Sequence, residues 1–187
     1  MIMKKAAVLI LILALFTGCS VKEEELDRAM TLRAKLLANS CSFDAEITAD
    51  YGEKIHKFSL ACEGDPQGNL KFAVTQPESI SGITGTISQE GGKLTFDDTG
   101  LHFDLLADDQ ISPVAAPWIL LKTLRGGYLN AANMEDGMLR LTIDDSYEED
   151  ALQVDIWLNE ADQPFRAEIL YDGRRILTVN VNHFQIL

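Results

Sequence analysis

Basic residues, histidine and long apolar runs are scarce in this sequence, and each scarcity excludes a class of function. Its 187 residues include 16 lysines and arginines against 29 aspartates and glutamates, a formal net charge of −13. Because so acidic a surface is repelled by phosphate backbones, the composition excludes nucleic-acid binding. The apolar run over residues 6–16 is well short of the roughly 20 residues that a membrane-spanning helix needs.

Catalytic and metal-binding motifs are lacking as well. The three histidines, His56, His102 and His183, fall on separate predicted strands without the spacing of metal ligands. The sequence contains no HExxH, CxxC or phosphate-binding loop and no GxSxG nucleophile elbow. The acidic run 144–150 has no turn glycine, so a solvated hairpin loop fits it better than a calcium site. We therefore predict no catalytic residues, no metal, no cofactor, and a protein that is not an enzyme.

The N-terminal residues carry a specific signal. Lys4 and Lys5 precede the apolar run, and the small residues Thr17 and Gly18 precede Cys19. This order of basic head, short apolar core and small residues is typical of an export signal. Its end resembles the bacterial lipoprotein box, in which the cysteine receives acyl chains such as palmitate and becomes the mature N-terminus. Phe16 departs from that box, since leucine is usual at its position.

These features predict a signal peptide over 1–18, a lipidated Cys19 with a short tether over 19–25, and a single domain over 26–187. Two or more acyl chains hold a protein firmly at a bilayer. The first 18 residues contain two basic residues and no acidic one, so the mature chain has a formal charge of −15. Attraction to the cell membrane must then come from the N-terminal lipid anchor or from an apolar patch, with the body on the exported side. Ordinary secretion is the alternative.

The pattern after the tether predicts an α+β fold. Residues 23–38 form a predicted helix with an apolar stripe of Leu26, Ala29, Met30, Leu36 and Leu37. Alternating segments separated by turn sequences predict an antiparallel meander that curls toward a barrel. A second, markedly apolar helix follows Ser112-Pro113, or begins nearer Pro117, and stops at Gly126. The expected total is about ten strands, the last five over 128–134, 138–144, 151–159, 164–171 and 176–187.

The remaining two cysteines lie on the first two predicted strands. If Cys19 carries lipid, Cys41 and Cys62 form an even pair in an exported protein, where disulfides persist. Pairing Phe43 with Leu60 places these cysteines opposite each other and within reach of a disulfide. A shift of two residues in register would make them diagonal. Two buried free thiols are the alternative.

The order of elements resembles the LolA/LolB-like family of periplasmic lipoprotein carriers and receptors, including its diverged lipoprotein relatives. The likeness covers nearly all of the mature chain in topology and rests on hydrophobic patterns with a proline and a glycine at characteristic places. It implies a curved antiparallel sheet that forms an incomplete β-barrel, with helices as a lid over an apolar cavity for acyl chains. The segments that carry it are Val154-Asp155-Ile156-Trp157-Leu158, Gln163-Pro164-Phe165-Arg166-Ala167-Glu168-Ile169, Asp172-Gly173 and Phe184.

We therefore expect a membrane-anchored envelope lipoprotein that binds acyl chains of a lipid or lipoprotein under its mid-chain lid helix. The candidate ligand-binding residues are Phe96, Phe103, Trp118, Leu120, Leu121 and Leu124. The alternative is an interaction or sensor module with a filled core, on which an envelope protein partner docks at an exposed edge or at the lid. Residue types alone favour a packed core and a cavity about equally.

Overall fold

The computed structural model describes residues 23–52, 54–97, 99–107, 110–148 and 151–187. The predicted signal peptide, Cys19 and the first part of the tether lie outside the described residues. Helix α1 spans Glu23–Ala38, which confirms the predicted helix. Helix α2 spans Ala116–Gly126 and follows a short 3₁₀ turn over Pro113–Ala115, so it begins closer to Pro117 than to Ser112. Within the described helices, none is long and apolar enough to cross a membrane.

Eleven strands form one antiparallel sheet. They are β1 (Cys41–Asp50), β2 (Ile55–Gly64), β3 (Leu70–Gln76), β4 (Thr84–Ser88), β5 (Gly91–Phe96), β6 (Thr99–Phe103), β9 (Tyr128–Glu135), β10 (Met138–Asp144), β11 (Gln153–Leu158), β12 (Pro164–Tyr171) and β13 (Arg174–Ile186). Their order in the sheet is β6-β5-β4-β3-β2-β1-β13-β12-β11-β10-β9. In the described chain nothing pairs with the outer edge of β6 or β9, so the sheet is an incomplete barrel, as predicted. Strands β7 (Leu106–Ala107) and β8 (Gln110–Ile111) form a separate pair.

The core lies between the two helices and one face of this sheet. Strand β1 shows why: its residues at 41, 43, 45, 47 and 49 are buried, and those between them are more exposed. Such alternation places one face of a strand against the helices and the other in solvent. Helix α2 is buried around most of its circumference, which explains why its sequence is apolar almost throughout.

The buried face of α1 differs from the predicted stripe. Ala29 and Leu36 are buried as expected, but Leu26, Met30 and Leu37 are 41%, 45% and 52% exposed. The prediction was wrong for these three residues because it assumed that α1 lies flat on the sheet. Instead α1 packs against α2 and the edge strand β9, so a narrower face is buried, to which Glu25 and Leu32 also belong.

Two arginines, one on each helix, link the helices by hydrogen bonds. Arg33 of α1 donates from Nε to the carbonyl oxygen of Leu124 and from Nη2 to that of Gly127, both at 2.8 Å. Arg125 of α2 donates from Nε to the carbonyl oxygen of Leu36 at 3.2 Å. Because the last carbonyls of a helix lack partners within it and carry partial negative charge, each arginine stabilises the end of the other helix.

The predicted pairing of β1 with β2 is wrong by two residues. Phe43 pairs with Cys62, and Cys41 pairs with Gly64. The cysteines are therefore diagonal, and the structure has no disulfide between Cys41 and Cys62, which are both free and buried. A slip of two residues keeps every side chain on its predicted face, so the hydrophobic pattern alone does not distinguish the two registers.

Candidate ligand cavity

A cavity of about 700 Å³ lies beside α2, where several strand connections meet. The β1–β2 turn, the β12–β13 turn and the β10–β11 loop all contribute to its wall. The antiparallel register brings these three connections to the same end of the sheet. Residues 105 and 111, just before α2, and residue 89 of the β4–β5 turn complete the lining.

The cavity wall is amphipathic. Its apolar part comprises Leu105, Ile111, Trp118, Ile119, Leu152 and Ile176. Its charged part comprises Asp50, Lys122, Asp145, Glu148, Asp172 and Arg174. Ile111, Trp118 and Ile119 are at most 7% exposed, so this part of the wall is anchored in the core. A molecule with an apolar chain and a polar head matches such a lining.

Hydrogen bonds hold the α2 side of the cavity in place. The indole Nε1 of Trp118 donates to the carbonyl oxygen of Gly68 at 2.9 Å. Lys122 Nζ lies 5.6 Å from the centroid of the Trp118 ring and 3.1 Å from Asp145 Oδ2. Across the cavity, Tyr51 Oη donates to the carbonyl oxygen of Ile111 at 2.6 Å, and burial raises the pKa of Tyr51. The wall is therefore largely preformed.

The charged residues around the cavity are mostly acidic. The two basic side chains have acidic neighbours: Lys122 pairs with Asp145, and Arg174 Nη2 lies 3.9 Å from Asp50 Oδ1. Glu148 and Asp172 make no ion pair among the described residues. Four carboxylates thus face two cations, so the cavity carries an excess of negative charge at neutral pH.

The structure brings only one of the six predicted ligand-binding residues, Trp118, into this cavity. Leu120, Leu121 and Leu124 are 0%, 1% and 3% exposed and fill the core on other faces of α2. Phe96 is 59% exposed, and the half-buried ring of Phe103 covers Gly92 so closely that a Cβ would not fit there.

Sequence reasoning missed most of the lining. Leu152 and Ile176 lie at the beginning of the predicted strands 151–159 and 176–187, and Ile111 lies just before the predicted helix, so none of them was predicted to line a cavity. One signal was usable: Leu152 lies two residues after the acidic run 144–150, where a large apolar side chain is out of keeping with a fully solvated loop. Their convergence depends on which strand connections share one end of the sheet, and that is a property of the register.

The second concave surface and the histidines are weaker candidates for a functional site. A second concavity, of about 690 Å³, lies on the outer face of β1 to β5 and includes Ser42, Lys71 and Thr86. His56, His102 and His183 are all exposed. His183 Nδ1 lies 2.8 Å from Asp44 Oδ2 at the surface. No group of three or more histidine, cysteine or acidic side chains in the described ranges is placed to hold a metal ion.

The sequence matches no protein-family profile, and no curated protein is significantly similar to it. Several solved structures are similar in fold. A conserved protein from Thermus thermophilus is 14% identical, with a TM-score of 0.47 over 88% of this chain and 86% of that one. A LolA superfamily protein from Nitrosomonas europaea is 10% identical, with a TM-score of 0.47 over 85% and 93%.

A putative outer membrane lipoprotein-sorting protein domain from Vibrio parahaemolyticus is 10% identical, with a TM-score of 0.44 over 88% of this chain and 92% of that one. These likenesses are too distant to carry a conclusion about a ligand. The family that the sequence resembles is represented among the solved structures to which this chain is similar.

Proposed function

We propose that this chain is a membrane-anchored protein of the exported side that binds acyl chains of a lipid or lipoprotein in the cavity beside α2, without catalysing a reaction. The observation that supports this proposal is the cavity of about 700 Å³ with its apolar wall and charged surroundings. That volume falls in the range of about 300–1,000 Å³ that is common for sites of small molecules.

The energetics favour an apolar chain as the occupant. Each methylene that leaves water for an apolar site contributes about 0.8 kcal/mol. A segment of about ten methylenes would thus gain about 8 kcal/mol before the cost of association is subtracted. The exposed charges of Asp50 and Arg174, whose side chains are 53% and 58% exposed, leave the polar head of such a ligand in contact with water.

A second candidate function is a protein–protein interaction module. The packing of α2 favours it, because Leu120, Leu121 and Leu124 already fill the space between this helix and the sheet. The cavity is therefore confined to one end of the molecule instead of extending under the whole helix. In this alternative the cavity stays empty of lipid and the envelope partner binds elsewhere.

Binding of a fluorescent fatty-acyl probe separates the two candidates. Ile176→Trp places a large ring in the cavity wall and should weaken probe binding at least about tenfold, the equivalent of about 1.4 kcal/mol. The matched control is Ile83→Trp, since Ile83 is also half-buried against the core but does not line the cavity. Both variants are compared by thermal melting, so that a loss of fold is recognised.

Native mass spectrometry of the detergent-free protein provides an independent measurement, since a retained lipid appears as added mass. Failure of the unaltered protein to bind the probe, together with no retained lipid, would reject the acyl-binding proposal and favour the interaction module. Equal weakening by both tryptophan substitutions would also count against binding in this cavity.

A further inference from the structure

Strand β6 is an open edge of the sheet. It pairs with β5 alone among the described strands, from Gly92 opposite Phe103 to Phe96 opposite Thr99. The opposite edge is different, because β9 packs against α1. Every second residue of an edge strand points its N–H and C=O groups away from the sheet, which makes the edge a template for a further strand.

The turn between β5 and β6 identifies the outward-pointing groups. Two residues separate Phe96 from Thr99, and a two-residue hairpin turn begins the ladder with a hydrogen-bonded pair. Thr99, Leu101 and Phe103 therefore bond to β5. Gly100 and His102 point their backbone groups outward.

An exposed apolar surface adjoins this edge. Leu94 and Phe96 of β5 share one face with Leu101 and Phe103 of β6, and we name these four residues the β5–β6 strip. Phe96 is 59% exposed and Leu101 is 64% exposed. The strip continues the core face of the sheet, because Leu94 pairs with the buried Gly85 of β4. The core face is thus left uncovered at the same edge that lacks a partner strand.

The charges around β6 indicate what kind of partner fits. Asp97 precedes the strand and Asp104 follows it, and both are exposed. A basic side chain, Lys93 of β5, lies beside Gly100 in the middle of the strand, so the acidic side chains stand at its two ends. The chain as a whole carries a formal charge of −13. A second copy of this chain would bring the same acidic groups to the contact and be repelled, whereas a basic segment would be attracted.

We propose that β6 is the docking edge for an extended segment of another protein, rich in lysine or arginine at its ends and apolar at every second position. The segment adds a strand to the sheet, bonds to the outward backbone groups of Gly100 and His102, and lays its apolar side chains on the β5–β6 strip. This docking is independent of acyl binding, since none of the four strip residues lines the cavity.

A synthetic peptide is the probe: valine and threonine alternate over the central residues, and two lysines stand at each end. Its binding to the full chain in detergent is measured by fluorescence anisotropy. Leu101→Asp should weaken binding at least about tenfold, because it places a charge on the strip. The matched control is Ile55→Asp, since Ile55 is equally exposed at 62% but lies on β2, and its affinity should change less than about twofold.

His102→Pro tests the strand edge itself, because proline removes an outward N–H and leaves the bonds to β5 in place. We expect a loss of affinity at least about as large as that of Leu101→Asp. If this variant does not fold, a peptide methylated at alternate backbone nitrogens removes the same bonds from the other side and should bind as weakly. Ile176→Trp should leave peptide affinity unchanged.

Three results would overturn the proposal. A peptide with glutamates in place of the lysines could bind as tightly as the basic one. Leu101→Asp and Ile55→Asp could weaken binding equally. Sedimentation could reveal a dimer of this chain that His102→Pro dissociates, which would make the edge a self-association surface.

Discussion

Cys41 and Cys62 are buried neighbours on adjacent strands, and their surroundings keep them protonated. Burial raises the pKa of the Cys62 thiol, and the nearby carboxylate of Asp44 raises it further. Burial also raises the pKa of Cys41, partly offset by the positive charge of Arg125. Both thiols therefore behave as small apolar groups of the core at neutral pH.

The thiols have a higher pKa in the folded protein than in the unfolded chain, which predicts a loss of stability in alkaline solution. In the unfolded chain the thiols ionise at about pH 8.5, but in the folded protein they stay protonated to higher pH. Their contribution to stability is fully present below about pH 8.5 and is lost as the pH rises toward the folded pKa. We expect the free energy of unfolding to fall by about 1–3 kcal/mol between about pH 7.5 and about pH 9.5.

Urea denaturation at the two pH values measures this change. The control is the double variant Cys41→Ala with Cys62→Ala, which should lose most of the pH dependence in this interval. Burial also raises the pKa of Tyr51. An unfolded tyrosine ionises at about pH 10, so Tyr51 lowers the stability only at higher pH than the thiols do. If the free energy of unfolding of the double variant fell as steeply with pH, groups other than the two thiols would be responsible.

At the scale of elements, the paired arginines of α1 and α2 explain how the two helices support each other. Arg33 donates hydrogen bonds to two carbonyl oxygens at the end of α2, and Arg125 donates one to a carbonyl oxygen at the end of α1. Helix α2 is thereby tied at its C-terminal end, while Trp118 near its N-terminal end lines the cavity. The N-terminal end is held by a different contact, the hydrogen bond from Trp118 Nε1 to the carbonyl oxygen of Gly68.

Arg33→Met should lower the free energy of unfolding by about 2–4 kcal/mol, because it leaves two partly buried carbonyl oxygens without a charged donor. Arg125→Met should cost less, since its Nη2 is buried without a hydrogen-bond partner and one bond is lost. Chemical denaturation measures both values. Lys35→Met is the control: Lys35 is exposed on the same helix, and its loss should cost no more than about 0.5 kcal/mol.

At the scale of the whole molecule, we propose that attachment to a membrane depends on the N-terminal segment. The order of Lys4, Lys5, the apolar run, Gly18 and Cys19 predicts lipidation of Cys19. Cys19→Ser should move the protein from the membrane fraction to the soluble exported fraction, because the acidic body by itself is repelled by anionic lipids. Fractionation followed by immunoblotting measures this shift. The same distribution for both proteins would place the anchor elsewhere.

Local patterns in the sequence predicted much of the fold. Helix α1 and strands β10 and β12 have the predicted limits, because periodicity and turn residues mark them directly. The predicted alternation is clear in β1, where one face is buried and the other is more exposed. These features depend on neighbours in sequence, so the sequence carries them without knowledge of the tertiary contacts.

The candidate site was not accessible in the same way. Trp118 was predicted to line a cavity, and Leu120, Leu121 and Leu124 were predicted with it because α2 has more apolar surface than one buried stripe requires. The structure buries these leucines in a packed core and leaves space beside Trp118. An apolar side chain satisfies a core and a cavity wall equally well, so residue type does not distinguish them.

The sequence by itself determined the acidic charge, the two helices and the alternating strands, because each of these is a property of composition or of short-range spacing. Only the tertiary structure decided the register of Cys41 against Gly64, the face of α1 that is buried, and the position of the cavity. These three depend on how distant segments meet. A two-residue slip of register or a rotation of one helix preserves the local pattern and changes only the contacts between elements.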